Sequence, residues 1–297
     1  MANVAVIAHT DKTLGGGLKE LREVLAREGY ADPLWYEVSN GSKAPKYARR
    51  ALAKGAEVIF VWGGDGTVQL CIDALAETKA ILAILPAGTA NLLALNLKIP
   101  IDIAKAVNVG LRGGRRRIDT ATFNGEHFAV MAGTGFDAFV IKEASDKLKN
   151  RIGRLAYLYS GTKNLSARRV KAVIEVDGKE YFKGKISCVF IGNVGKGTAG
   201  VEVFKDAKPD DGILELAVVT AKNPIDWART LGRVAQGKAE KSPFVELTHG
   251  KEFRFTFKKK FPYEIDGSER KALKKMHIKV HPSSITICVP TDAAIVS

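Results

Sequence analysis

The stretch Glu57–Thr67, with the sequence EVIFVWGGDGT, decides the fold of this 297-residue chain. Val58–Trp62 is a continuous apolar run, which predicts a strand buried on both faces, as in a parallel sheet. Three glycines follow within four positions, and Val68–Glu77 then has the apolar spacing of a helix. A strand, a glycine turn and a helix in succession present backbone N–H groups to a phosphate, although a ligand-free turn would show the same pattern.

Composition limits the classes of protein to which the chain can belong. Hydrophobic residues make up 46% of it and charged residues 26%, which are ordinary values for a globular protein. No stretch has the roughly 20 apolar residues of a membrane span, and the N-terminus lacks a signal-peptide pattern. The three cysteines, Cys71, Cys188 and Cys288, are widely separated, which predicts buried thiols rather than disulfides or a zinc site. We therefore expect a cytoplasmic protein.

The net charge is unusually high, because 46 Lys and Arg against 32 Asp and Glu leave +14. A charge of this sign favours a polyanionic partner, and we expect peripheral association with an anionic membrane surface. The basic clusters are not interleaved with the aromatic residues on which nucleic-acid bases would stack, so we expect no nucleic-acid partner. Each basic cluster, taken alone, is more typical of a solvent-exposed surface than of a binding site. The clusters are Arg115–Arg117, Arg168–Arg169, Lys258–Lys260 and Lys274–Lys275.

The order of the predicted elements indicates two domains. In the first part of the chain apolar strands alternate with amphipathic helices, which is typical of a parallel sheet covered by helices. Strands dominate afterwards, beginning with a hairpin turn at Asn124–Gly125 and a strand at 126–131. We therefore predict an α/β domain with a Rossmann-like parallel sheet at 1–117. An antiparallel β-sandwich domain is predicted at 118–297, with its last residues free to pack back on the first domain.

A second glycine loop, Pro86–Asn91, has the sequence PAGTAN and follows the next predicted strand, Ile81–Leu85. In a parallel sheet both loops emerge at the carboxyl edge, where open α/β sheets bind their ligands. One such loop is a weak signal for a binding site, whereas two loops on neighbouring strands are a much stronger one.

Five motifs in order resemble the diacylglycerol kinase catalytic-domain family, which includes bacterial lipid kinases and sphingosine kinases. The resemblance extends over nearly the whole chain. It implies a nucleotide-binding N-terminal domain, a β-sandwich C-terminal domain for the lipid substrate, and a cleft between them where ATP meets a lipid hydroxyl. The motifs are GGDGT at 63–67, PAGTAN at 86–91, GTGFDA at 133–138, GN at 192–193 and KPDDGIL at 208–214.

ATP and Mg²⁺ are the cofactors that this resemblance implies. The first glycine loop would hold the ATP phosphates, and the second loop would contact the nucleotide. Two further nucleotide contacts of the family correspond to Thr10 and Ser39. At the first of these positions, His9-Thr10 replaces the family's usual residues. The candidate nucleotide-binding residues are Thr10, Ser39, Gly63, Gly64, Asp65, Gly66, Thr67, Gly88, Thr89 and Asn91.

The segment Lys208–Ile213 resembles the magnesium loop of the family, in which one carboxylate and two carbonyls bind the ion. These ligands correspond to the Asp211 side chain and to the carbonyls of Lys208 and Ile213. Hard oxygen ligands suit Mg²⁺. The same residues would also form an ordinary Asp-Gly turn before the next strand.

The chain departs from the family near its C-terminus. The family carries Asp-Gly-Glu, whose glutamate is proposed as the general base, whereas this chain has Asp266-Gly267-Ser268. A serine is a poor proton acceptor near neutral pH. Asp266, Ser268 and Glu269 are therefore the candidate catalytic residues. Asp266 is expected to face the cleft because it keeps the position of the family's aspartate.

We therefore expect an ATP- and Mg²⁺-dependent lipid kinase that phosphorylates diacylglycerol or a similar membrane alcohol. One alternative is a kinase of a soluble substrate, since NAD kinases also use a GGDG loop. Another is a lipid- or nucleotide-binding module without catalysis, for which Ser268 is the best argument. The sequence does not identify the lipid. It is compatible with a homodimer but does not determine the oligomeric state.

Overall fold

The computed structural model describes residues 3–135, 169–197 and 202–291 of the chain. It contains an α/β part with parallel strands and an antiparallel, sandwich-like part, as the sequence predicted. Residues 136–138 of one motif and Arg168 of one basic cluster lie outside the described residues. Across the three described ranges, no helix is long and apolar enough to cross a membrane.

Four parallel strands and five α-helices make up most of the first part of the chain. They are β1 (Val4–His9), α1 (Gly17–Arg27), β2 (Leu34–Val38), α2 (Ala44–Ala53), β3 (Val58–Gly63), α3 (Asp65–Leu75), β4 (Ile81–Pro86), α4 (Leu92–Asn96) and α5 (Ile103–Arg112). The strands lie in the order β2-β1-β3-β4. β3 is buried along its whole length because α1 and α5 pack on one face of the sheet and α2 and α3 on the other.

Antiparallel strands make up most of the second part. Its described elements are β5 (Gly114–Phe123), β6 (Glu126–Phe128), β7 (Met131–Thr134), β8 (Val170–Val176), β9 (Lys179–Ile186), β10 (Cys188–Gly192), β11 (Leu214–Val219), α6 (Pro224–Ala235), β12 (Val245–Gly250), β13 (Glu252–Ile265) and β14 (Ser268–Val289). Phe253, Phe255 and Phe257 of β13 are buried and alternate with exposed residues, which is the period of a strand with one face in a core.

The last strand connects the two parts. β14 pairs antiparallel with β13 and β5, and its residues Thr286 and Ile287 pair parallel with Ile81 and Leu82 of β4. The parallel and antiparallel strands therefore form one continuous sheet. The predicted boundary after residue 117 falls inside β5.

Three elements differ from the sequence prediction. Helix α3 begins at Asp65 rather than Val68, so part of the glycine motif is the first turn of the helix. Helix α4, directly after the second glycine loop, was not predicted. The strand predicted at 126–131 is interrupted between β6 and β7, because the backbone N–H groups there bind a carboxylate described below.

Candidate active site

The two glycine loops meet at the carboxyl edge of the parallel sheet. β3 ends at Gly63 and β4 ends at Pro86, and these residues are register partners. The backbones of Gly64 and Gly88 pack directly against each other. A Cβ on Gly64 would lie 3.2 Å from the Cα of Gly88, and one on Gly88 would overlap the Cα of Gly64. Glycine permits this approach, so the two loops form one surface.

The first turn of α3 lies at this surface. Gly64 is the N-cap residue, and no side chain in the described part of the chain caps the helix. The N–H of Thr67 donates to the carbonyl of Gly64 at 3.0 Å, which leaves the N–H groups of Asp65 and Gly66 as those suited to bind an anion. Thr67 is buried behind the turn, where a Cβ on Gly63 would lie 2.6 Å from the Cβ of Thr67. Thr67 thus supports the loop from inside.

Asp65 joins the first loop to the start of α4. Its Oδ1 accepts the backbone N–H of Leu92 at 2.5 Å. Burial raises the pKa of the Asp65 carboxyl, and the backbone N–H groups of α4 oppose that shift. The sequence did not reveal this contact because α4 has only five residues and no marked periodicity.

Asn91 and Thr89 of the second loop have different surroundings. Asn91 has a φ of 50°, and its Oδ1 accepts the N–H of Gly88 at 2.9 Å. Its Nδ2 donates to the carbonyls of Pro86 at 3.3 Å and Gly88 at 2.7 Å. Because these bonds occupy the side-chain amide, Asn91 shapes the loop, whereas Thr89 is exposed and open to a ligand.

Thr10 and Ser39 follow the neighbouring strands β1 and β2, and both are exposed. The N–H of Thr10 donates to the carbonyl of Val38 at 3.0 Å, which holds the two strand ends together. A Cβ on Gly41, two residues after Ser39, would lie 3.4 Å from the Oγ1 of Thr67. The structure therefore brings Thr10 and Ser39 to the same edge as the glycine loops.

The second part of the molecule contributes the turn Asp266–Gly267. These residues have φ of 43° and 78° and form the hairpin turn between β13 and β14. The Oδ1 of Asp266 accepts the N–H groups of Val130 at 3.2 Å and Met131 at 2.8 Å, and its Oδ2 accepts that of Ala129 at 3.3 Å. These bonds direct the buried carboxylate inward, which corrects the expectation that Asp266 faces the cleft.

Opposing influences act on the Asp266 carboxyl. Burial raises its pKa to about 7, the N–H groups of Met131 and Ala129 oppose this rise, and the nearby charge of Asp65 adds to it. The charge of Asp65 affects the pKa of Asp266 because the turn lies next to the first glycine loop. Because three backbone N–H groups occupy its oxygens, Asp266 is suited to position the turn rather than to accept a proton from a substrate.

Ser268 faces the first glycine loop, and Glu269 does not. A Cβ on Gly66 would lie 3.4 Å from the Oγ of Ser268, so position 268 adjoins the first turn of α3. Glu269 is exposed and lies opposite Glu264 across the hairpin. Because side chains alternate along a strand, Glu269 points to the opposite face of the hairpin from Ser268.

Glu264 is a titratable residue near the turn that the sequence analysis did not single out. It is partly buried, and its Oε1 lies 3.8 Å from the position of a Cβ on Gly133. Burial raises the pKa of Glu264 to about 7, and the charges of Glu269 and Asp266 act in the same direction. The two-residue turn Asp266–Gly267 sets the register of the hairpin, which pairs Glu264 with Glu269 and keeps these three carboxyl groups close together.

Glu264 is expected to lower the stability of the protein above neutral pH. Its pKa in the folded state, about 7, exceeds the ordinary value of 4.5, so the folded state holds the proton more tightly than the unfolded state. The stability from this group is fully present below pH 4.5 and is lost as the pH rises through 7. Glu264→Gln should therefore raise the melting temperature at about pH 8 and leave it unchanged near pH 4.5.

Glu180→Gln is a matched control for this measurement. Glu180 lies opposite Glu175 beside the Asp177–Gly178 turn, so it belongs to a similar hairpin, but it is exposed. Its replacement should change the melting temperature by the same small amount at both pH values. A pH-independent effect of Glu264→Gln would contradict the prediction.

The predicted magnesium loop, Lys208–Ile213, is held against β5 by Asp119. The Oδ2 of Asp119 accepts the N–H of Gly212 at 2.6 Å, and its own N–H donates to the carbonyl of Pro209 at 2.6 Å. Burial raises the pKa of Asp119, backbone N–H groups lower it, and the neighbouring charge of Asp211 raises it. Asp119 is buried and was missed by the sequence analysis, since its partners are distant along the chain.

Asp211 lies on the exposed side of this loop. Its Oδ1 accepts the N–H of Ile213 at 3.0 Å, whereas Asp210 is paired with Arg116 at 2.8 Å. The Asp211 carboxylate and the carbonyls of Lys208 and Ile213 are hard oxygen donors, which is the ligand type that Mg²⁺ prefers. No group of three or more His, Cys, Asp or Glu that could hold a metal is present in the described ranges. An ion at this loop would therefore need carbonyls and water in addition to the Asp211 carboxylate.

Two family models match this chain. The model described as the diacylglycerol kinase catalytic domain matches residues 6–123. The YegS C-terminal NAD kinase beta sandwich-like domain matches residues 130–289, which is more than half of the chain. The chain belongs to the family of diacylglycerol kinases and YegS-like lipid kinases. The prediction of a lipid kinase is confirmed at this level, and membership of a kinase family implies the use of ATP.

Several named relatives and solved structures resemble this lipid kinase. "Diacylglycerol kinase" of Staphylococcus carnosus (strain TM300) is 29% identical over 255 residues, which cover 83% of each chain. "Probable lipid kinase YegS-like" of Yersinia pestis (strain Pestoides F) is 28% identical over 261 residues, which cover 84% of each chain.

Two solved structures show the fold alone, because their identities to this lipid kinase are low. The crystal structure of a diacylglycerol kinase from Bacillus anthracis str. Sterne has a TM-score of 0.73 at 21% identity and covers 98% of both chains. An NAD kinase from Archaeoglobus fulgidus in complex with ATP has a TM-score of 0.53 at 11% identity, over 98% of this chain and 94% of that chain.

Proposed function

We propose that this lipid kinase transfers the γ-phosphoryl group of ATP to the hydroxyl of diacylglycerol or a similar membrane lipid alcohol. The observation that carries the proposal is the approach of Ser268 to Gly66, which sets the turn of the second part against the phosphate loop of the first. A hydroxyl delivered along this turn would reach a phosphate bound at the start of α3. Family membership and the names of the relatives support a lipid as the substrate.

The reaction is an in-line displacement. The oxygen of the lipid hydroxyl forms a bond to the γ-phosphorus, the bond to the β,γ-bridging oxygen breaks, and ADP leaves with that electron pair. The hydroxyl proton passes to water or to a carboxylate. Because the transition state is loose, positioning and charge neutralisation provide most of the catalysis. The N–H groups of Asp65 and Gly66, together with the exposed Thr89, are suited to bind the phosphates.

The proposal assigns Mg²⁺ to the Asp211 carboxylate and the carbonyls of Lys208 and Ile213. When bound, the ion supplies positive charge for phosphoryl transfer. Asp211→Ala is expected to raise the Mg²⁺ concentration for half-maximal activity by at least about 10-fold, since it removes the only carboxylate of the set. The free energy of unfolding should change little because Asp211 is exposed.

Asp210→Ala is the matched control, because Asp210 belongs to the same loop but is paired with Arg116. It should leave the Mg²⁺ requirement unchanged. Titration of Mg²⁺ at saturating ATP and lipid measures both variants. The same Mg²⁺ requirement in Asp211→Ala and the wild type would reject the assignment.

We also propose that the enzyme meets its substrate at an anionic membrane surface. The net charge of +14 supports this proposal, since each Lys or Arg near such a surface contributes about 1 kcal/mol to binding. Salt screens these interactions, so co-sedimentation with phosphatidylglycerol vesicles should decrease steeply as salt is raised to about 0.5 M. Uncharged phosphatidylcholine vesicles are the control. Salt-independent binding to the anionic vesicles would reject the electrostatic account.

Radiolabelled ATP, offered with a panel of lipids, soluble alcohols and NAD, tests the proposed function. Extraction into organic solvent separates phosphorylated lipids from soluble products. We expect label in the organic phase with diacylglycerol or a related alcohol. Label on NAD would favour a kinase of a soluble substrate, and no transfer despite measurable ATP binding would favour a module without catalysis.

A further inference from the structure

We infer that Arg270, Glu126 and Gln69 form a positioning network that couples the phosphate loop to the Asp266–Gly267 turn. The inference rests on the proposed function, because it assigns these residues to the phosphoryl-transfer site. The observation behind it is a continuous series of hydrogen bonds that joins α3 to β14 through one carboxylate.

Arg270 connects the turn to Glu126. Its Nε donates to the Oε2 of Glu126 at 2.8 Å, and its Nη2 donates to the Oε1, so the ion pair is bidentate. Its Nη1 donates to the carbonyls of Ser268 at 3.0 Å and Glu269 at 3.1 Å. The planar guanidinium therefore ties the first two residues of β14 to a carboxylate on β6.

Glu126 is also bonded to the helix that carries the phosphate loop. The Nε2 of Gln69 donates to the Oε1 of Glu126 at 3.3 Å and to the carbonyl of His127 at 2.7 Å. Gln69 is only 1% exposed and lies in α3, two residues after Thr67. One turn further along α3, Asp73 accepts the N–H of His127 at 2.8 Å. β6 is thus bound to α3 at two points.

The ion pair of the network is partly shielded from water. The side chains of Arg270 and Glu126 are 22% and 27% exposed. The hydrogen bond from Arg270 lowers the pKa of Glu126, and the same bond raises the pKa of Arg270. Both groups therefore remain ionised at neutral pH, and charge-assisted hydrogen bonds are roughly twice as strong as neutral ones.

The hydrogen bonds of the network cross between the two parts of the molecule, whereas those of Asp266 do not. The bonds that the Asp266 carboxylate accepts from the N–H groups of residues 129–131 lie entirely within the second part. Arg270 donates to the carbonyl of Ser268 and to Glu126. Gln69 of α3 also donates to Glu126, so this carboxylate links the position of Ser268 to α3. The distance between Ser268 and Gly66, and hence the alignment of hydroxyl and phosphate, depends on these three side chains.

Glu126→Gln is the variant that tests this inference through activity. It keeps the shape of the side chain and removes the charge that binds Arg270. We expect turnover at saturating ATP and lipid to decrease about 10- to 100-fold, because a misplacement of about 1 Å can cost about 100-fold. The Kd for ATP should change by less than about threefold, since the phosphate loop itself is intact. Glu252→Gln is the control, because Glu252 pairs with Arg254 at 2.6 Å in the same hairpin, away from the turn.

Hydrogen–deuterium exchange provides a readout that does not depend on catalysis. If the network couples the two parts, Gln69→Ala should speed exchange in residues 264–270, and Arg270→Met should speed exchange in residues 65–75. A substitution in α3 would thus loosen the turn, and a substitution in β14 would loosen α3. Exchange in β8 and β9 should stay at the wild-type rate.

Three results would overturn the inference. The first is wild-type turnover in Glu126→Gln, and the second is unchanged exchange on the opposite side in both variants. The third is faster exchange throughout the chain, including β8 and β9, which would show general support of the fold instead of coupling. A wild-type enzyme that phosphorylates no lipid would reject the proposed function, and the exchange experiment would still decide the coupling.

Discussion

Replacing Gly88 with alanine is expected to decrease phosphoryl transfer by at least about 100-fold. The new Cβ would overlap the Cα of Gly64 and lie 2.8 Å from the Oδ1 of Asn91. Backbone atoms cannot rotate away as a side chain can, so the two glycine loops would have to separate. Because both loops border the proposed phosphate site, the affinity for ATP should also decrease. Turnover and calorimetric titration with ATP measure the two effects.

Gly232→Ala is the matched control for this substitution. Gly232 lies in α6, and a Cβ there would meet no atom within 4 Å. Alanine is favoured over glycine inside a helix by about 1 kcal/mol, so the control should be active and slightly more stable. Thermal unfolding of both variants separates a local change from loss of the fold. Normal ATP affinity and turnover in Gly88→Ala would show that the loops do not form the phosphate site.

The fold class was predictable because local patterns and tertiary surroundings agree in this chain. Val58–Trp62 is apolar at every position, and the structure buries β3 on both faces. Asn124 precedes a glycine at the predicted hairpin turn, and it has the positive φ that such a turn requires. These features depend on residues close together in sequence, which is why a single sequence specifies them.

Much of the candidate site was not predictable because its contacts join distant segments. Asp119 binds Gly212 and Ser283, which follow it by 93 and 164 residues. Glu126 and Arg270 are 144 residues apart. Each of these residues is an ordinary charged residue in sequence, and only the pairing of β5, β6 and β14 makes it a partner of the site. Polar contacts of this kind have no linear pattern.

Asp266→Asn is expected to cost far more activity than Glu269→Gln. The Asp266 carboxylate accepts three backbone N–H groups, from Ala129, Val130 and Met131. An amide could accept the bonds at one oxygen, but its NH₂ group would then meet the remaining N–H, donor against donor. A buried donor left unsatisfied costs about 1–3 kcal/mol, and the turn would shift relative to Gly66. We expect turnover to decrease by about 100-fold, mainly through this shift.

Two further variants of the same turn separate positioning from proton transfer. Glu269 is exposed and points away from the phosphate loop, so Glu269→Gln should keep activity within about twofold of the wild type. Ser268 faces Gly66, so Ser268→Glu would set a carboxylate beside the phosphate loop and should be tolerated or activating. Turnover on the best lipid, with thermal unfolding as a check on folding, compares all three variants.

The pattern across these variants identifies what the turn contributes to catalysis. A large loss in Asp266→Asn alone would support positioning, since the inward-facing carboxylate of Asp266 cannot reach a substrate. Near-wild-type activity in both Asp266→Asn and Glu269→Gln would show that catalysis depends on neither carboxylate. An inactive wild type that Ser268→Glu restores would instead favour a binding module that has lost catalysis, because the only missing group would then be the carboxylate at position 268.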